Sequence, residues 1–324
     1  MKKFPYIKIA LVLAPLFTGS CEKVIDNFDF LEADPKLVVN APLISDSTLV
    51  IHVSHTTGIM DGDFFNFIDN ATAGIYSDEN FLEEATYIDS GFYSFGLIPA
   101  AGNEYILKVE TPGYASVESI IDIPAFPVLT SIEFAGEDEN GIRLRATIKD
   151  PEGSINAYGI SLIYPLVYLE FDEYGNITDT IIDGTSKAYL RSRDINVSGG
   201  IFDYSLSTEK WDDYSDGSSL LIEDNLVNGR EFSFVFSTPD IYLAIALEQS
   251  VTVQLESFNQ DYISYLKSME LYYNSIENPL SEKVSLYTNV EGGLGVAHGK
   301  SITKSELIIP PGLISGNFMD WWKY

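Results

Sequence analysis

The sequence predicts a mainly β protein: an antiparallel sandwich at the amino end, followed by a second β-rich domain with one amphipathic helix. Three observations carry this expectation. Short segments alternate apolar and polar side chains, as in EYILKVE at 104–110, where Tyr105, Leu107 and Val109 oppose Glu104, Lys108 and Glu110; that is the period-2 signature of a half-buried strand. Turn formers separate these segments, such as the Thr111-Pro112-Gly113 that ends this one. Only one stretch, residues 259–275, repeats apolar groups at helical spacing.

The elements follow in order. KLVVNA at 36–41 begins the first strand, and LVIHVSH at 49–55 puts Leu49, Ile51, Val53 and His55 on one face. FYSFGL at 92–97, EYILKVE and ASVESIIDI (115–123) complete the sandwich over 36–124. PAFP at 124–127 marks a boundary, because prolines do not sit inside a central strand. From residue 125 to 324, strands are predicted at 143–149, 157–171, 177–182, 187–195, 231–237, 250–258 and 283–289. DPEG at 150–153 is a turn in which Pro151 presets the dihedral. In the helix, Tyr262, Tyr265, Leu266, Met269, Tyr272 and Tyr273 form a stripe that reads as core packing, and Asn259 and Asp261 suit its amino end. The glycine-rich segment that follows, with Gly292, Gly293 and Gly295, is expected to be a hairpin ahead of strand-like SITKSELII.

Cys21, the single cysteine, sits in FTGSCEK. Lys2 and Lys3, a short apolar run to Phe17, and the small residues Thr18, Gly19 and Ser20 describe a secretory signal over 1–20. A spanning helix needs roughly 20 apolar residues, so this run is too short for an anchor. The segment resembles the lipobox of bacterial lipoproteins, which implies that Cys21 is acylated. Residues 21–35, with five acidic groups after the cysteine, read as a tether. Removal of 1–20 takes three lysines and no carboxylate, so the net charge moves from −29 to about −32. Such a chain is repelled by nucleic acid and by anionic membrane. With one cysteine there is no internal disulfide, and stability rests on packing.

Catalytic and metal signatures are weak throughout. GLGVAHGKS, from Gly293 to Ser301, superficially resembles a phosphate loop, but Leu294 stands where the first glycine belongs and a strand follows. Asp212, Asp216, Gly217 and Glu223 match positions of a calcium loop, yet Tyr214 replaces a ligand, which favours an acidic surface loop. His52 and His55 at i, i+3 of a strand point to opposite faces and do not pair. No HExxH or GxSxG is present. The expectation is no cofactor, no metal and no enzyme activity. At the carboxyl end Trp321, Trp322 and Tyr324 either pack against the second domain or offer an aromatic partner surface.

CEKVID, PKLVVNA, AGNEYILKVETPGY, RATIKDPEGSINAYGISL, LVNGREFSF and DYISYLKSMELYYNSIENPLSEKVSLYTNVEGGLGV together resemble the domain-of-unknown-function family 4249 of Bacteroidetes lipoproteins. That resemblance implies a transthyretin/immunoglobulin-like amino-terminal sandwich. It also implies a lipid-anchored outer-membrane accessory role beside a TonB-dependent receptor in nutrient uptake. An envelope-biogenesis scaffold and a cell-surface hydrolase are the alternatives. Acids after the lipidated cysteine are associated in this phylum with surface export; Glu22 fits and Lys23 does not, which puts the cell surface just ahead of the periplasmic face. Gly292, Gly293, Gly295, Trp321 and Trp322 are the candidate partner contacts.

Overall fold

Alternation decides the first element. Every second residue of β1 (Leu37–Ile44) is buried, and β2 (Val50–His55) turns Ile51 and Val53 to the same core. The computed structural model describes residues 34–58, 66–152, 156–202, 205–207, 215–224, 228–276 and 282–314. The signal segment, the tether up to residue 33, Cys21, Trp321 and Trp322 lie outside them.

Six more strands complete the first sandwich: β3 (Thr72–Ser77), β4 (Asn80–Glu84), β5 (Thr86–Asp89), β6 (Phe92–Ser94), β7 (Glu104–Glu110) and β8 (Val117–Asp122). A four-stranded sheet in the order β4-β3-β7-β8 closes over β1 and β2. Ile75, Leu107, Val109 and Ile121 from that sheet meet Leu43, Leu49 and Ile51 from the other. Tyr93 is fully buried, yet its hydroxyl donates to the Ile68 carbonyl and accepts from Ala71 N–H, both at 2.9 Å. A buried phenol so satisfied costs little.

The second core lies under a five-stranded sheet, β16-β13-β18-β10-β9. Its strands are β9 (Val128–Asp138), β10 (Gly141–Lys149), β13 (Leu190–Ser192), β16 (Ser215–Gly217) and β18 (Glu231–Thr238). Ile142, Leu144, Ala146 and Ile148 of β10 pack with Phe234 and Phe236 of β18. Opposite them stand Tyr158, Ile160 and Leu162 of β11 (Ala157–Phe171) and Val251, Val253 and Leu255 of β19 (Val251–Phe258). β12 (Ile177–Lys187), β14 (Gly199–Phe202), β15 (Ser205–Ser207) and β17 (Ser219–Glu223) complete the strands of this half, up to the last.

That last strand joins the two cores. β20 (Ala297–Leu307) pairs antiparallel with β19 along its length and parallel with β1 from Ala297 to Lys300. One eleven-stranded sheet therefore runs β15-β14-β17-β11-β19-β20-β1-β2-β6-β5, with β12 branching from β11. Both sandwiches use it as a layer. Residues 124–127 carry the chain from β8 to β9 between the two cores, and Pro35–Tyr324 gathers into one compact unit.

The predicted helix is present as α2 (Gln260–Ile276); a short α1 (Tyr242–Ala246), which the sequence pattern did not announce, precedes β19. Asn259 Oδ1 accepts the Tyr262 N–H at 3.1 Å and caps α2. Of the predicted stripe only Leu266 is buried, together with Ile263 beside it; Tyr262, Tyr265 and Met269 are half-buried, and Tyr272 and Tyr273 are exposed. The helix rests on Ala157, Leu221 and Phe258, and runs past that small footprint.

Two expectations fail here. Residues 283–289 form no strand. Tyr287 N–H donates to Ser268 Oγ at 2.9 Å, and its hydroxyl donates to Asp261 Oδ1 at 2.5 Å, so α2 satisfies this segment instead of a sheet. The glycine segment is also no hairpin. Glu291 bridges Glu118 of β8, Leu294 bridges Val38 of β1, and the chain then enters β20.

Candidate functional site

The glycine segment owes its composition to close approach. At Gly295, φ is +107° and an added Cβ would stand 2.0 Å from the Val39 carbonyl oxygen. At Gly293 it would stand 2.7 Å from the Leu37 oxygen, and at Gly292 2.7 Å from the Ser116 oxygen. Asn289 closes the loop from inside: its side-chain amide donates to Ala297 O at 2.7 Å and accepts from Ala297 N–H at 2.9 Å. An amide placed so replaces a peptide unit in the ladder. Gly292 is exposed, and Gly293 and Gly295 are half-buried against β1. These three glycines stand together and stitch β1 to β8. SITKSELII belongs to β20, a strand where a phosphate loop needs a helix.

Where β8, β10 and the start of α2 meet, a cleft of about 600 Å³ opens. Its walls include Phe126, Lys149, Asp122, Asp150, Tyr158 and Asn259. Partial burial and then the Asp261 carboxylate hold Asp122 above the ordinary carboxylate range. Asp150, the first residue of the DPEG turn, is buried. Its carboxylate accepts from Tyr158 Oη at 2.5 Å, Gly229 N–H at 2.7 Å and Asn156 Nδ2 at 3.1 Å. Burial, followed by the bond to Asp150, drives the Tyr158 phenol far above its usual range. Nearby Asp224 is fully buried, accepts from Asn156 N–H at 2.8 Å and is raised first by burial. Asp150 thus ties three separate chain segments together, and its lone pairs are directed at those donors rather than at the cleft.

The other sequence candidates separate in space. Asp216 accepts from Tyr189 Oη at 2.5 Å, while Glu223 pairs with Lys267 at 2.7 Å; both sit on strands. Asp212 and Tyr214 lie outside the described residues. His52 packs against Phe67 and Phe92, and His55 against Tyr114, so their rings diverge. Among the described residues no three His, Cys, Asp or Glu gather to hold a metal.

A feature that sequence periodicity did not mark as a site lies on β11. Its first half, Ala157–Leu162, is buried between β17 and β19. From Pro165 to Phe171 its only strand partner among the described residues is β12, so beyond Tyr164, which still packs on the second core, the two strands leave the body as a ribbon. At about 3.3 Å per residue that ribbon is roughly 25 Å long. Tyr168, Phe171, Ile177, Ile181 and Ile182 are exposed on it, and Tyr174 at its tip is 81% exposed. Asp172 builds the tip, accepting from Tyr174 N–H at 2.9 Å and from Asn176 N–H at 2.8 Å. An isolated two-stranded ribbon is marginal in water; this one is rooted in a core strand.

Fold and surface define a β-rich protein of two fused sandwiches that projects an apolar ribbon. By its sequence the chain belongs to the family described as Domain of unknown function (DUF4249), whose model matches residues 25–306. No curated protein matches it. Among solved structures it is similar to a DUF4785 family protein from Legionella pneumophila, at 10% identity and TM-score 0.24, over 69% of this chain and 52% of that one. It is also similar to a mutant of Salmonella alpha-2-macroglobulin, at 10% identity and TM-score 0.21, over 88% of this chain and 15% of that one. The chain thus spans about half of the first structure and a small part of the second.

Proposed function

We propose that this protein is a lipid-anchored accessory binding protein of the bacterial outer membrane, held by Cys21 and working with a TonB-dependent receptor in nutrient uptake. The observation that carries the binding role is the ribbon, where large apolar side chains stand in water on a strand pair rooted in the core. Exposed apolar surface of this kind marks interaction sites. The lipobox-like setting of Cys21 supports the anchor. A membrane tether raises the effective concentration of such a protein near a receptor, so a modest interface is enough.

Two measurements test this. Cys21→Ala should move the protein from the membrane fraction to the soluble one, since the acyl chains supply the membrane affinity. Native protein extracted in mild detergent should co-purify with a receptor identified by mass spectrometry. A mutant that stays in the membrane while the wild type carries no lipid mass would overturn the anchor. Extraction without any receptor, with unchanged nutrient uptake on deletion, would overturn the partnership.

A further inference from the structure

Four carboxylates on the ribbon, Glu170, Glu173, Asp179 and Asp183, take part in no ion pair among the described residues. The one cation of residues 163–187 is Lys187, at the ribbon's base. Among the described residues β12 is hydrogen-bonded along one edge only, by β11, and all of it except Ser186 is exposed. An open edge with flanking apolar side chains is a template for another strand. We infer that the ribbon is a docking arm for an extended cationic segment of a partner protein, which adds alongside β12, rests apolar side chains on Ile177, Ile181 and Tyr168, and places lysines or arginines against the four carboxylates.

Charge selects this occupant over the others. A second copy would bring the same acidic edge and a net charge of −29 with it, and like charges directly opposite on paired strands repel. An anionic lipid surface is disfavoured by the same sign. The acids therefore block edge-to-edge self-association while leaving the edge open to a basic strand, which is specificity through repulsion of the wrong partner. Register shifts between Pro165 and Val167 and between Glu170 and Phe171, with Gly184 at φ +75°, interrupt the regular ladder and limit how far a partner strand can extend.

This assignment rests on the binding-protein reading, and its test separates the two. The mature chain is titrated with a strand-length peptide repeating valine-threonine-lysine-threonine, which presents valine and lysine on one face as Ile181 and Asp179 are presented, and with one in which glutamate replaces the lysine. Amide exchange is followed throughout. The lysine peptide should bind and slow exchange across Ile177–Lys187, and the glutamate peptide should not. The combined variant Glu170→Gln, Glu173→Gln, Asp179→Asn, Asp183→Asn should weaken binding about tenfold at low salt. Ile177→Ser with Ile181→Ser should weaken it while exchange at Ala157–Leu162 stays slow, which shows the core half of β11 still folded. Equal binding of both peptides, protection elsewhere, ribbon-dependent dimerisation, or ribbon-dependent binding to phosphatidylglycerol vesicles would each overturn the inference. If the four-carboxylate variant still co-purifies with the receptor as the wild type does, the docking arm is wrong and the accessory role stands. If no receptor co-purifies and deletion leaves nutrient uptake unchanged but the lysine peptide binds the ribbon, the accessory role falls and the arm stands.

Discussion

Gly295→Ala is the sharpest probe of how the two sandwiches are joined. The new Cβ would sit 2.0 Å from the Val39 oxygen, where an ordinary contact is roughly 3.5 Å. Relief requires the loop to retreat from β1 by more than an ångström. Three backbone bonds span that gap: Val39 N–H to Leu294 O at 2.9 Å, Ala41 N–H to Val296 O at 2.9 Å, and Leu294 N–H to Leu37 O at 2.8 Å. Losing one or two of them leaves buried polar groups at about 1–3 kcal/mol each. A side chain at φ +107° adds about 1–3 kcal/mol. The sum is about 2–9 kcal/mol, or roughly 3–14 °C in Tm for a chain of this size, at about 2.1 cal/mol/K of unfolding entropy per residue. Gly113→Ala is the control, because its φ is +90° but a Cβ there meets nothing within 4 Å; only the dihedral cost applies. Thermal and urea unfolding of both variants would settle the matter. Equal, small losses for Gly295→Ala and Gly113→Ala would refute the close-approach account.

Two further perturbations follow from the same strand. Glu256 is buried, pairs with Lys300 at 2.8 Å and also accepts from Gln254 Nε2 at 2.9 Å. Lys300→Met should cost about 3 kcal/mol by stranding that charge, and Lys300→Met with Glu256→Leu should recover most of it, read from urea midpoints. His298 stacks on Tyr262 at 4.3 Å, and burial, followed by the Lys300 charge, pushes it down to about 3. Its folded value lies below the unfolded one of about 6.5, so its contribution to stability is complete above about 6.5 and is lost as pH falls toward 3. Wild type should therefore lose more stability than His298→Asn between neutral and mildly acidic pH. Identical pH slopes would contradict the buried neutral imidazole.

Local patterning was enough for the elements that carry their own period. β1, β2, β7 and β10 alternate so regularly that strand and buried face are both legible, because each inner residue meets the same core. α2 was legible from its spacing and from Asn259, since capping is a contact between near neighbours. Elsewhere the deciding partner is far along the chain. KVSLYTN alternates like a strand, yet Tyr287 is held by Asp261 and Ser268. DPEG announces a turn, but Asp150 is buried because Gly229, 79 residues on, donates to it. The glycines of 292–295 suggested a hairpin, and only the pairing of β20 with β1 reveals that they are there for close approach to the β1 backbone. The ribbon is the same lesson at the surface. The sequence predicts strands at 157–171 and 177–182 and goes no further, because burial is a property of the facing layer and a strand's own sequence does not record whether one is there. By itself the sequence determined the β class, the capped helix and the acidic charge. Tertiary structure decided which apolar faces were covered and which, the ribbon among them, were left in water, since coverage depends on contacts between residues distant in the chain.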